Sequence, residues 1–198
     1  MSGNAQDVAA FILAGGQSTR MGTDKAFVQL DGQTLLARAL DLGRSIAADV
    51  RIAGSVEKFA RFAPVVEDVF RDRGPLGGIH AALLSSSCEF NLMLAVDTPF
   101  IPAALLLFLL QRARGSGAVV TVPRLGNLWQ PLCAIYRREF VTVAEDALRV
   151  GRYKIDALFE IVPTLAIRDK ELAAAGFSAD VFRNLNTVAE LEAAKREA

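Results

Sequence analysis

The chain lacks an excess of charge of either sign: lysine plus arginine and aspartate plus glutamate each number 22, and the formal net charge is zero. This balance removes the broad positive field on which general nucleic-acid binding depends, so no nucleic-acid partner is expected and any anion must be gripped locally. Cysteine is scarce. Cys88 and Cys133 are too few and too far apart for a disulfide scaffold or a zinc cluster, and they fit a reducing cytosol. Long apolar runs are missing as well. The longest uncharged one, FIPAALLLFLL at 100–110, contains a proline and falls short of the ~20 residues that a membrane span needs, so it reads as a buried helix and no membrane partner is expected. The opening MSGNAQD has no basic region followed by an apolar stretch; no cleavable leader and a cytoplasmic location are expected. His80, the sole histidine, stands in an apolar helix start without a recognisable catalytic triad and reads as structural. Internal repeats and low-complexity segments are absent.

What is present is apolar residue in quantity. Hydrophobic residues make up 52% of the 198 and charged residues 22%, enough for one sizeable core, and the length favours one domain over residues 1–198. Short apolar runs at 8–13, 50–53, 90–96, 117–122 and 163–167 alternate with helix-like stretches at 34–48, 75–86, 102–114, 139–150 and 189–197. That rhythm predicts an α/β fold, a largely parallel sheet covered by helices on both faces. LDGQ at 30–33 carries an Asp-Gly turn. The stretch 128–136 reads as a further strand, and the preceding RLGN can turn it antiparallel to AVVTV at 118–122. In such sheets ligands sit beyond the carboxyl ends of the strands, which directs attention to the residues that follow each apolar run.

After the first run the chain reads Leu13, Ala14, Gly15, Gly16, then Gln17 to Met21, Gly22, Thr23, Asp24 and Lys25. Glycines without Cβ let backbone N–H groups approach phosphate oxygens, and Arg20 and Lys25 offset phosphate charge. The stretch is therefore either an anion cradle or a structural strand-to-helix turn with surface cations. Its spacing fits neither a Walker A loop nor the dinucleotide fingerprint, because five residues separate Gly16 from Gly22 and Thr-Asp-Lys follows.

Two further strand ends carry chemistry. The run FNLMLAV stops at Asp97, followed by Thr98 and Pro99; a carboxylate there is either a ligand for a hard cation such as Mg2+ or a turn or cap residue ahead of the helix at 102–114. EDVFRDRGPLGGIHAAL (67–83) brings Asp68 to Gly74, Pro75, Gly77 and Gly78 at a helix start, which is either a loop or a place where free N–H groups meet an oxyanion. RNLNT holds Asn184 and Asn186, with Thr187 suited to cap the last helix. Trp129 and Gln130 contact a planar ligand or pack on a half-buried sheet. Arg152 and Lys154 near a helix start contact a phosphate or simply line a solvated face.

The thirteen positions from Leu13 to Lys25, Leu-Ala-Gly-Gly-x-Ser-x-Arg-Met-Gly-x-Asp-Lys, resemble nucleotidyltransferases of the molybdenum cofactor guanylyltransferase (MobA) family. The likeness continues in family order through 65–83, LAVDTPFIP (94–102), QPLCAIYRR (130–138) and FRNLNTVAELEAA (182–194), nearly the whole chain. The resemblance implies a Rossmann-like three-layer sandwich of the nucleotide-diphospho-sugar transferase type, and transfer of GMP from GTP to molybdopterin with release of pyrophosphate. It implies that Leu13, Ala14, Gly15 and Gly16 face guanine and phosphates, that Arg20 and Lys25 act on the phosphates, and that Asp97 holds Mg2+. It further implies that Asp68 contacts guanine or ribose, and that Gly74, Gly77, Gly78 and Asn186 serve the substrate side. The double glycine leans toward a purine, since related cytidylyl- and uridylyltransferases more often show Leu-Ala-Ala-Gly. A cytidylyltransferase acting on the same cofactor, a sugar-phosphate nucleotidyltransferase and a nucleotide-binding delivery chaperone are the competing activities. A molybdoenzyme or cofactor-delivery protein is the partner implied. Two departures stand out: Ala53 where the family often has asparagine, and Val188 in place of the usual proline.

Overall fold

The computed structural model describes residues 7–15, 24–185 and 190–192. Its centre is β1 (Val8–Leu13), six consecutive apolar residues all buried. Such a run suits a strand covered on both faces. β1 lies between β4 (Asp49–Ala53) and β6 (Phe90–Ala95) and runs parallel to both. Beyond β4 the short β5 (Val65–Val66) extends the parallel edge. On the other side β9 (Cys133–Arg137) runs antiparallel to β6 and also to β7 (Val120–Leu125). β10 (Thr164–Arg168) closes that edge parallel to β7. The order is β10-β7-β9-β6-β1-β4-β5, with β8 (Leu128–Trp129) paired to β7.

Alternation along β1 sorts the helices into two layers. Val8, Ala10 and Ile12 share a core with α1 (Leu35–Arg44) and α4 (Ala103–Arg114). Ala9, Phe11 and Leu13 share the other with α3 (Pro75–Ser85) and α5 (Phe140–Arg149). The expected α/β sandwich is thus present, with β9 and β8 as its antiparallel members. The apolar run at 100–110 contributes to α4, where Leu105, Leu106 and Leu109 are fully buried. No helix among the described residues is long and apolar enough to cross a membrane.

The differences from expectation have local causes. The strand expected over 128–136 is two strands, because Pro131 lacks an N–H and the chain turns there, with Gln130 N donating to Pro123 O and Cys133 N to Gln130 O. The helix expected over 34–48 ends at Arg44: Ser45 Oγ donates to Leu42 O at 2.6 Å and Ala47 N folds back to Gly43 O. β5, α2 (Val56–Phe59) and α6 (Asp169–Ala174) are too short to announce themselves by periodicity. The Asp-Gly turn is real: Asp31 and Gly32 both have positive φ, 52° and 77°, between β2 (Gln29–Leu30) and β3 (Gln33–Thr34). Of the helix expected over 189–197, residues 190–192 fall within the described residues and are helical.

Candidate active site

The first piece of the site is built by the ends of three parallel strands. Ala14 N donates to Ala53 O at 3.0 Å, and Val96 N donates to Leu13 O at 3.2 Å. The start of the glycine loop is thereby fixed to β4 on one side and to β6 on the other. Gly15 is solvent-exposed. Gly16, Arg20 and Gly22 lie outside the described residues. Where the chain resumes, Asp24 Oδ1 accepts from Ala26 N at 3.1 Å and Oδ2 accepts from Lys58 Nζ at 2.9 Å. Asp24 therefore caps the 3-10 turn Lys25–Phe27, which points Lys25 across the sheet end.

Lys25 Nζ meets Asp97 Oδ2 at 3.3 Å. Asp97 follows β6 directly and its backbone is held in place: Leu185 N donates to Asp97 O at 2.9 Å, and Thr98 Oγ1 donates to Ala95 O at 3.0 Å. The cap alternative fails, because α4 begins after Pro102 and receives no side-chain cap. A pair whose side chains retain about one-fifth of their exposure (19% and 21%) contributes ~1 kcal/mol or less to stability. The pair lies at the carboxyl end of the strands, where ligands bind in open α/β sheets. No three His, Cys, Asp or Glu side chains gather into a metal-binding group among the described residues. A cation at Asp97 would have one protein carboxylate, which suits an ion that takes its other oxygens from phosphates and water.

Next to this pair a cleft of about 420 Å³ opens on the α3 and α5 side of the sheet. Leu13, Gly15, Asp68, Asp72, Gly74 and Gly78 are among its lining residues. Gly74 has φ of 63°, a conformation that glycine adopts without strain, and Pro75 then starts α3. A Cβ on Gly77 would stand 2.8 Å from Phe70 O and 3.3 Å from Asp68 Oδ2. The missing side chain is what lets the Asp68 loop lie against α3. Burial pushes the Asp68 carboxyl above its ordinary range, the Asp72 carboxylate pushes it further, and His80 opposes them.

The structure brings Leu13, Gly15, Asp68, Gly74 and Gly78 into one cleft, with Gly77 behind it and Lys25 paired to Asp97 at the sheet end. Asn184 is exposed on the segment docked against the Asp97 backbone, whereas Asn186 and Thr187 lie outside the described residues. Ala53, the departure from the asparagine pattern, lines the cleft, so its methyl faces the space where the family's amide would stand. Asp72 also lines it, although in the sequence it is one of several charges in EDVFRDR and nothing local marks it. His80 is 1% exposed, sits edge-on to Phe70 and has Nε2 3.7 Å from Glu145 Oε2. Arg152 and Lys154 are exposed.

A family model described as the MobA-like NTP transferase domain matches residues 10–162. The chain belongs to this family. A molybdenum cofactor guanylyltransferase of Desulfosudis oleivorans is 36% identical over 95% of this chain and 94% of its own. One from Syntrophotalea carbinolica is 34% identical over 96% of this chain and 91% of its own. Among solved structures, the molybdopterin-guanine dinucleotide biosynthesis protein A of Archaeoglobus fulgidus superposes with a TM-score of 0.83 at 25% identity, covering 96% of this chain and 97% of that one. The MobA-like match ends at residue 162, within two residues of the last strand, so it contains the glycine loop, the Lys25–Asp97 pair and the whole Asp68 cleft.

Proposed function

We infer that this protein transfers GMP from GTP to molybdopterin, giving molybdopterin guanine dinucleotide and pyrophosphate, as one nucleotidyltransferase domain over residues 1–198. The observation that carries the inference is the convergence of Lys25, Asp97 and the Asp68 cleft on one end of the sheet, in a chain whose curated relatives are guanylyltransferases over nearly their full length.

The cleft takes the nucleoside: Leu13, Ala14, Gly15 and Gly16 offer backbone to the guanine and phosphates, and Asp68 accepts from guanine or ribose. Gly74, Gly77 and Gly78 keep the α3 start close to the ligand, and Asn186 belongs to the acceptor side. Arg20 and Lys25 hold the phosphates and neutralise charge that develops on the departing pyrophosphate. Asp97 would hold Mg2+, which when bound screens phosphate charge and aligns the reacting groups. The terminal phosphate of molybdopterin supplies the nucleophilic oxygen, so no protein base is required and positioning dominates. Cytoplasmic action suits the substrates, and a molybdoenzyme or delivery protein receives the product.

Transfer of label from GTP, CTP and UTP to purified molybdopterin tests the inference. Label appearing from GTP with stoichiometric pyrophosphate supports it. Preference for CTP would make the protein a cytidylyltransferase, and GTP binding without pyrophosphate release would make it a delivery module.

A further inference from the structure

Arg124 differs from the arginines of the protein that are engaged in ion pairs. Arg38, Arg51, Arg112 and Arg149 each meet a carboxylate within 2.9 Å. Among the described residues, Arg124 meets none: its Nε is buried without a hydrogen-bond partner, and its guanidinium lies 4.6 Å from the Trp129 ring centroid. Trp129 is directly opposite Arg124 in the β7–β8 register and packs edge-on against Phe159, with centroids 5.1 Å apart. Contact of this kind positions a guanidinium while leaving N–H groups for an anion that offers two acceptor oxygens, as a carboxylate or a phosphate does. Leaving a buried donor without an acceptor is costly, so an arrangement that keeps one is suited to an acceptor that a ligand brings.

The position of this fork follows from the sheet. β9 is antiparallel to both β6 and β7, so β7 runs parallel to β6 and its carboxyl end is at the same edge as Asp97. Leu94 pairs with Cys133 and Thr121 with Ile135, which puts Pro123 level with Leu94 and Arg124 level with Ala95. Arg124 is thus two strands from β6, roughly 10 Å, and two residues short of the level of Asp97. Trp129 and Phe159 belong to the same face of the sheet as Leu13 and Ala53, which line the nucleotide cleft. Arg73, beside Gly74 of that cleft, stacks on Tyr153 at 5.0 Å, and the chain from Tyr153 leads to Phe159. The cleft and the Arg124 fork are two ends of one continuous wall.

We propose that the Trp129-stacked Arg124 is the seat of the acceptor's phosphate monoester, on the opposite side of Asp97 from the nucleoside. The proposal rests on the guanylyl-transfer function above for the identity of the acceptor, but the oxyanion site itself is independent of it. The Arg124 fork binds and orients one pair of phosphate oxygens and leaves the third to face the α-phosphorus. Lysine in its place retains the charge and loses the fork.

Trp129 is the only tryptophan in the chain, so its emission reports directly on this site. Titration of the full-length protein with inorganic phosphate, against chloride at matched ionic strength, is expected to change the emission saturably, and Arg124→Lys to weaken that response tenfold or more. In the transfer assay the same variant is expected to raise the KM for molybdopterin at least tenfold while the KM for GTP stays within twofold and the melting temperature is unchanged. Phosphate titrations that are identical in the two proteins would overturn the proposal, as would a rise in the KM for GTP alone, which would assign Arg124 to the nucleotide. Failure of the unaltered protein to transfer GMP would refute guanylyl transfer, and the phosphate titration would still decide whether Arg124 forms an oxyanion site.

Discussion

Lys25 Nζ reaches Asp97 Oδ2 across 3.3 Å, and in doing so links the turn after the glycine loop to the carboxyl end of β6. The two residues are 72 positions apart, yet each is the first charged side chain that its element presents to the ligand end of the sheet. Asp97 is expected to hold the divalent cation. Replacing it with asparagine keeps the shape and removes the anionic ligand, so metal-dependent transfer should fall by about 10²-fold or more. The bond from Leu185 N to the Asp97 carbonyl and that from Thr98 Oγ1 to Ala95 O do not involve the replaced atoms, and the melting temperature should stay close to that of the unaltered protein. Turnover against metal concentration in both proteins checks this; normal turnover would remove Asp97 from the reaction.

Lys25→Ala asks a different question of the same pair. In the free protein the ammonium meets the Asp97 carboxylate; under the proposed function a bound triphosphate takes over the ammonium. A charge-assisted hydrogen bond contributes about 1.5–3 kcal/mol, so loss of the lysine should weaken GTP binding by roughly tenfold to a hundredfold. A partly exposed ion pair contributes little to folding, and stability should change by ~1 kcal/mol or less. Calorimetric titration with GTP is the measurement, and unchanged affinity would contradict the assignment of Lys25 to phosphate.

How far the sequence reveals this site depends on the residue. Val8–Leu13 and Phe90–Ala95 are legible as central strands because both faces of each are buried, and Asp97 is legible because a carboxylate ends such a run. Residues that pair across the fold are harder to see. Nothing in the local sequence says that Asp24 turns to Lys58 and leaves Asp97 to Lys25. Asp72 looks like surface charge in EDVFRDR until the loop folds it into the cleft. Arg124 likewise reads as charge at the turn RLGN: the two-residue turn sets it opposite Trp129, but nothing local says that its Nε is buried without an acceptor.

Gly77 supports the Asp68 loop through the absence of a side chain. An alanine there must displace the Phe70 carbonyl, backbone that cannot swing away as a side chain would, from 2.8 Å. Overpacking of this kind costs about 1–3 kcal/mol, a fall of several degrees in melting temperature at ~2–4 °C per kcal/mol for this chain length. Gly78→Ala crowds the flexible Leu13 Cδ2, at 3.3 Å, and meets Asp68 Oδ1 and Ala53 Cβ at ordinary contact distances of 3.7 and 3.9 Å, and should cost less. Because the displaced backbone carries Asp68, Gly77→Ala should also weaken GTP binding more than Gly78→Ala does. Thermal melts and GTP titrations of the two variants compare them; equal effects would mean that the close approach at Gly77 has no special part in forming the cleft.

The carboxyl of Asp68 sets a conflict between stability and binding. Burial and the nearby Asp72 raise its pKa above the ordinary carboxylate value, with His80 partly opposing them. Below the ordinary range both folded and unfolded chains hold the proton. As the pH rises, the unfolded chain releases it first, so folding loses stability until the raised pKa of the folded state is passed. Asparagine never ionises and escapes that loss. Asp68→Asn should therefore melt slightly higher than the unaltered protein at about pH 7, and the gap should close as the pH is lowered toward ~4. Under the proposed function the same substitution removes the anionic acceptor offered to the nucleoside, so GTP affinity should fall as stability rises. Melting temperatures of both proteins across roughly pH 4–7 supply the check, and a variant that melts lower at neutral pH would show that the Asp68 charge is held by favourable contacts rather than tolerated for the sake of the ligand.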